Sequence, residues 1–100
     1  MRLSRFQIDI IKELARKYFG ADTTVYLFGS RTDDNKKGGD IDLFIKTSHE
    51  NRLTLEAKIH FLAELKANIG DRKIDVVFDN ANTRLKKEFY HSVNSQKIEL

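Results

Sequence analysis

The chain has 100 residues, of which 18 are Lys or Arg and 15 are Asp or Glu, so its formal net charge is only +3. This length predicts a single domain over residues 1–100, and so small a charge excludes the dense basic surface of a dedicated nucleic-acid-binding protein. The lack of cysteine favours a cytoplasmic protein, and we predict neither a signal peptide nor a run of the ~20 apolar residues that span a bilayer.

The first two predicted elements are a helix and a strand. Ser4 and Gln7 have the spacing of a capping box, which predicts a helix over residues 5–18 that ends near Gly20. The apolar positions of this helix expected to face the core are Leu3, Phe6, Ile10, Leu14 and Tyr18. Residues 24–28 are rich in β-branched and aromatic side chains and predict the first strand.

The rest of the chain alternates strand and helix. Residues 32–39 predict a polar loop, 40–46 a second strand, 53–68 a helix, 73–78 a third strand and 83–93 a last helix. The apolar positions expected to be buried are Leu55, Ile59, Leu62, Leu65 and Ile69 in the first of these helices, and Leu85 and Phe89 in the second. The predicted fold class is therefore α/β, with a small mixed β-sheet and helices packed on one face.

Two carboxylates stand two residues apart in the second predicted strand. Residues at positions i and i+2 of a strand point to the same face, roughly 7 Å apart, so Asp40 and Asp42 would lie side by side. The two carboxylates repel each other, and burial raises their pKa values, unless a cation lies between them. A solvated acidic strand is the alternative, but the opposite face, formed by Ile41, Leu43 and Ile45, is clearly apolar.

A third carboxylate, Asp75, interrupts the apolar run of the third predicted strand, where Asp is disfavoured. If this strand lies beside the second, all three carboxylates converge on one surface. A cluster of this kind suits a hard divalent cation with oxygen ligands. The ligand types argue against zinc, because the chain has no Cys and its histidines, His49, His60 and His91, are scattered. The sequence therefore predicts a magnesium site formed by Asp40, Asp42 and Asp75.

The order Phe28-Gly29-Ser30, Asp40-Ile41-Asp42 and Asp75 resembles the signature of the minimal nucleotidyltransferases in the DNA polymerase β-like superfamily. That signature is a hydrophobic residue, Gly and Gly or Ser at a strand end, then two Asp separated by a hydrophobic residue, then a third acidic residue on a later strand. The chain departs from it at Gly38-Gly39, where members often carry Ser or Thr. The resemblance implies the polymerase β palm-like fold and a nucleotidyltransferase activity.

The resemblance also implies roles for individual residues. Gly29 and Ser30 would bind the terminal phosphates of a nucleotide. Two magnesium ions would be held by Asp40, Asp42 and Asp75, which are also the expected catalytic residues. Arg31 would neutralise phosphate charge, although a surface ion pair with Asp33 or Asp34 is an equally good interpretation of that arginine.

The acceptor is implied only by resemblance. Stand-alone relatives of this size pair with a HEPN-domain toxin, and some act as antitoxins that transfer AMP from ATP to a toxin tyrosine. We therefore expect a magnesium-dependent protein adenylyltransferase whose partner is a HEPN-type helical protein or a second copy of the chain. Two alternatives stay open: a non-catalytic module that neutralises its partner by occlusion, and the catalytic subunit of a small-molecule, antibiotic-type nucleotidyltransferase.

One further pattern is interpreted as a coincidence. Arg84 and His91 match the loose spacing of Arg and His in the RNase site of HEPN toxins. That site forms in a helical dimer, whereas this chain has three predicted strands.

Overall fold

The structure is a computed structural model that describes residues 3–29 and 40–100. Its α-helices are α1 (Arg5–Phe19), α2 (Leu55–Ile69), α3 (Ala81–Leu85) and α4 (Lys87–Gln96), with a 3-10 turn at Glu50–Arg52 before α2. Its strands are β1 (Thr24–Phe28), β2 (Ile41–Lys46), β3 (Ile74–Phe78) and β4 (Ile98–Glu99). None of the helices in this part of the chain is long and apolar enough to cross a membrane.

Helix α1 begins at the predicted capping box. The Ser4 hydroxyl accepts a hydrogen bond from the backbone N–H of Gln7 at 3.1 Å, and Oε1 of Gln7 accepts one from the N–H of Ser4 at 2.9 Å. The prediction of its buried face was partly wrong, because Phe6 is 61% exposed. The fully buried residues of α1 are Ile11, Ala15 and Phe19. Leu3 and Leu14 are buried as predicted, and Ile10 and Tyr18 pack against the same core. The buried face of α1 is therefore the predicted stripe without Phe6, widened by Ile11, Ala15 and Phe19.

Helix α2 is capped by Thr54 and packs on the core through Phe61 and Leu65, both fully buried. The prediction that Leu55 and Ile59 are buried was wrong, since they are 70% and 56% exposed. At 3.6 residues per turn, Ile59 points about 160° away from Phe61. An apolar spacing alone did not reveal which flank of the helix faces the sheet.

The four strands form one mixed sheet in the order β3-β2-β1-β4. Strand β1 is antiparallel to β2 and to β4, whereas β2 and β3 are parallel and are connected through α2. The mixed α/β fold that the sequence predicts is therefore confirmed. Strand β4 was not predicted, because its two residues, paired with Tyr26 and Leu27, are too short for a recognisable pattern.

The sheet has a core on each face. Helices α1 and α2 cover one face, as predicted, and the strand residues buried beneath them are Val25, Leu27, Ile41, Leu43, Ile45, Ile74 and Val76. On the opposite face, Phe28, Phe44 and Val93 form a smaller buried cluster, with Tyr90 packed against it. The last predicted helix is therefore present in α4, but it packs on the face that the prediction left without helices.

The single helix predicted near the end of the chain is divided in two at Lys86. The predicted inward orientation of Leu85 and Phe89 was wrong, because these side chains are 77% and 40% exposed. The break changes the phase of the helix, so that α4 presents Tyr90 and Val93 to the sheet instead.

A buried carboxylate connects these two helices to the rest of the domain. Asp79, which is 5% exposed, accepts hydrogen bonds from Nη1 of Arg84 at 3.0 Å and from the hydroxyl of Tyr90 at 3.1 Å. Nη2 of Arg84 lies 2.6 Å from Oε1 of Glu50 in the turn before α2. These contacts give Arg84 a structural role, consistent with the interpretation of its spacing to His91 as a coincidence.

We expect Arg84→Ala to lower the free energy of unfolding by about 1–3 kcal/mol, because Asp79 would stay buried with a neutral hydroxyl as its remaining side-chain donor. The matched control is Arg5→Ala, which removes an exposed pair with Asp9 and should cost only a few tenths of a kcal/mol. Urea unfolding followed by circular dichroism measures both values. Equal effects of the two substitutions would contradict the structural role of the Asp79 network.

Candidate active site

The sheet brings two of the three predicted carboxylates together. In the strand register, Phe28 of β1 is opposite Asp42 of β2, and Asp42 is in turn beside Asp75 of β3. Because side chains alternate along a strand, Asp42 and Asp75 point away from the face that α1 and α2 cover. The alternation of apolar and acidic residues in the sequence therefore predicted the face of these two carboxylates correctly.

Asp42 is half-buried, and its pKa is raised above the usual value for an aspartate. The largest cause is burial, followed by the negative charge of Asp75, a hydrogen bond between the two carboxyl groups and the charge of Asp40. Lys73 opposes these effects. A carboxylate in these surroundings is unfavourable in its charged form, and a cation beside it would relieve the repulsion.

The donor chemistry of this pair fits a magnesium ion. Proteins commonly bind Mg²⁺ through one or two carboxylates while substrate phosphates and water complete its coordination. Asp42 and Asp75 supply two such carboxylates. Within residues 3–29 and 40–100, no group of three His, Cys, Asp or Glu side chains is arranged to hold an ion. Asp40 is exposed just before β2, and a metal site that includes it stays a prediction.

Gly29 contacts Asp42 so closely that no side chain fits between them. Its φ of +72° lies in the left-handed region that favours glycine. A Cβ built at this position would lie 2.6 Å from Oδ2 of Asp42. The backbone at the end of β1 is therefore held directly against the carboxylate, and the glycine is needed for that approach.

The other predicted phosphate-binding residues, Ser30 and Arg31, lie outside the described residues. The same is true of the predicted loop at 32–39, with Asp33 and Asp34. Their roles in binding a nucleotide remain predictions from the motif.

A cleft of about 530 Å³ opens beside the carboxylate pair, within the size range of small-molecule sites. Its lining residues are Phe28, Asp42, Lys58, Leu62, Ile74, Asp75, Val76, Val77 and Phe89. The sequence analysis did not identify Lys58 or Phe89 as site residues. Lys58 has no motif around it, and the predicted phase of the last helix placed Phe89 in the core.

Residues 9–100 match the protein family described as "Polymerase beta, Nucleotidyltransferase". No individual curated protein matches the chain significantly. The family match extends over nearly the whole chain and includes Gly29, Asp42 and Asp75. The chain therefore belongs to the polymerase β nucleotidyltransferase family, whose general reaction is nucleotidyl transfer.

Proposed function

We propose that the protein transfers AMP from ATP to a hydroxyl group of a partner protein in a magnesium-dependent reaction, and that it acts as the antitoxin of a HEPN-type toxin. The observation that supports this proposal most is the pairing of Asp42 with Asp75 beside the close backbone of Gly29. The two carboxylates repel each other, so a divalent cation bound between them would be favourable. The neighbouring glycine lets the backbone approach the phosphates of a nucleotide that this cation binds.

Each residue has a defined role in the proposed reaction. Gly29 and Ser30 position the triphosphate, and Arg31 neutralises part of its charge. Asp40, Asp42 and Asp75 would hold the magnesium ions. When bound, magnesium lowers the pKa of the acceptor hydroxyl and neutralises charge on the phosphates.

The transfer step is a substitution at the α-phosphorus of ATP. The acceptor oxygen forms a bond to the α-phosphorus of ATP, and the bond from that phosphorus to the bridging oxygen breaks. Pyrophosphate leaves with the electron pair, and the proton of the acceptor hydroxyl passes to Asp75, the exposed member of the carboxylate pair. The product is a phosphodiester between AMP and the acceptor.

A protein acceptor is supported by the surface beside the cleft. Leu62 lines the cleft, and Leu55 and Ile59 extend an exposed apolar flank of the same helix. Exposed apolar residues that continue from a site in this way are typical of surfaces that contact another protein.

The proposal is tested by incubating the protein with ATP, Mg²⁺ and a co-encoded HEPN-type protein, followed by intact-mass spectrometry of both chains. We expect the partner to gain the mass of one AMP residue, on a tyrosine located by peptide sequencing. The Asp40→Ala/Asp42→Ala variant should still bind the partner but should neither modify it nor relieve its toxicity. Full neutralisation by this variant would instead support the occlusion alternative, and AMP transfer to an aminoglycoside would support the small-molecule alternative.

A further inference from the structure

Phe89 is an exposed aromatic residue in the wall of the carboxylate cleft. It is 40% exposed and lines the same cleft as Asp42 and Asp75. Its ring centroid lies 6.4 Å from that of Phe28, and the two ring planes are inclined at 82°. In an edge-to-face pair, the edge of one ring contacts at most one face of the other. The ring of Phe28 therefore covers at most one of the two faces of the Phe89 ring.

The position of Phe89 is fixed by the residue that follows it. The Tyr90 hydroxyl donates to the buried carboxylate of Asp79, and its ring contacts Phe44 at a centroid distance of 6.2 Å. One turn further along α4, Val93 is 2% exposed within the same apolar cluster. These contacts of Tyr90 and Val93 fix the first turn of α4 on the sheet. Phe89 therefore lies at the cleft although its own side chain is not buried.

We infer that Phe89 is the stacking platform for the nucleobase of the bound nucleotide. This inference rests on the proposed function, because it assigns the base of the same nucleotide whose phosphates lie at Asp42 and Gly29. Three observations carry it: the partial exposure of a ring that Phe28 contacts edge-to-face, the contacts of Tyr90 that position the first turn of α4, and the place of Phe89 in one cleft with the carboxylate pair. Since every base has a π-face, stacking strengthens binding of ATP and of GTP by similar factors.

The experiment measures nucleotide binding directly, so that no acceptor is needed. Isothermal titration calorimetry in Mg²⁺ compares the α,β-methylene analogues of ATP and GTP with inorganic tripolyphosphate, which carries the charge but no base. We expect Phe89→Ala to weaken binding of both nucleotide analogues by about 5- to 150-fold, the range for loss of one base–aromatic stack. Its affinity for tripolyphosphate should be unchanged, and Phe89→Trp should bind the analogues at least as tightly as the wild type.

Leu85→Ala is the matched control, because Leu85 is also apolar and exposed on the neighbouring helix but is not among the residues lining the cleft. It should leave all three affinities unchanged. The inference is overturned if Phe89→Ala binds the analogues as the wild type does, or if it raises only the KM for the protein acceptor. In either case, binding of the analogues by the wild type would still support the proposed function. A wild-type protein that binds no nucleotide with Mg²⁺ would overturn both.

Discussion

Asp42→Asn is expected to lower the rate of nucleotidyl transfer by on the order of 10³-fold while making the metal-free domain more stable at neutral pH. Asparagine keeps the size of the side chain but removes its charge, so the metal ligand is lost. The same change removes the repulsion that Asp42 experiences from Asp75 and Asp40. Opposite signs for activity and stability distinguish a functional carboxylate from a structural one.

The stability difference should depend on pH in a defined direction. The pKa of Asp42 is raised in the folded protein above its usual value of 3.8, so the folded state binds the proton more tightly than the unfolded state. The contribution of Asp42 to the free energy of unfolding of the wild type therefore decreases as pH rises from about 4 through the raised pKa. The gain in the free energy of unfolding of Asp42→Asn over the wild type should be present above that pKa and disappear below about pH 4.

Thermal unfolding at a series of pH values, with and without Mg²⁺ and the α,β-methylene analogue of ATP, measures both effects. The melting temperature of the wild type should rise when metal and nucleotide are added, and that of Asp42→Asn should rise much less. The control is Asp71→Asn, which removes an exposed carboxylate just before β3 that does not line the cleft. If Asp42→Asn behaves like Asp71→Asn in this assay, the metal does not bind at Asp42.

Gly29→Ala is expected to reduce transfer by on the order of 10²-fold or more and to destabilise the domain. The left-handed φ of +72° alone costs a residue with a Cβ about 1–2 kcal/mol. In addition, the new methyl group would lie 2.6 Å from Oδ2 of Asp42 and would push that carboxylate out of place. A displacement of about 1 Å in a positioned group is enough for a loss of this size in rate.

The chain offers a control that separates the two costs. Gly70 also has a left-handed φ, of +102°, but a Cβ built there has no neighbour within 4 Å. Gly70→Ala should therefore show only the backbone cost and keep full activity. Gly29→Ala should be less destabilising in an Asp42→Ala background than in the wild type, a coupling that a double-mutant cycle measures by urea unfolding. Additive effects would mean that the close contact between Gly29 and Asp42 has no energetic consequence.

The two carboxylates of the candidate site that lie on strands were predictable in their placement from sequence, whereas the residue that α4 contributes to the cleft was not. Asp42 and Asp75 each interrupt an apolar strand, and the period of two then decides the face on which they lie. Phe89 depends on a helix break at Lys86, and neither Gly nor Pro marks that break in a chain with no proline. The exposure of Phe89 depends on which residues of α4 contact the sheet. Tertiary contacts of this kind are not visible in the sequence pattern.

The exposed flank of α2 shows a related limit. Leu55, Ile59 and Leu62 have the spacing of a buried stripe, yet only Leu62 packs against the core, beside the fully buried Phe61. An apolar period predicts the existence of a helix more reliably than its rotation about its own axis.

The two cores of unequal size lead us to expect that α4 opens more readily than α1 and α2. Helix α4 is held by a cluster of three buried side chains and by the hydrogen bonds of Asp79, whereas α1 and α2 share the large core beneath them. Local unfolding proceeds most readily where the fewest apolar contacts must be broken. Detachment of α4 would remove the aromatic wall of the cleft and leave Asp42 and Asp75 in their strands. We therefore expect the amide hydrogens of α4 to exchange with solvent faster than those of β2 and β3, which carry Asp42 and Asp75.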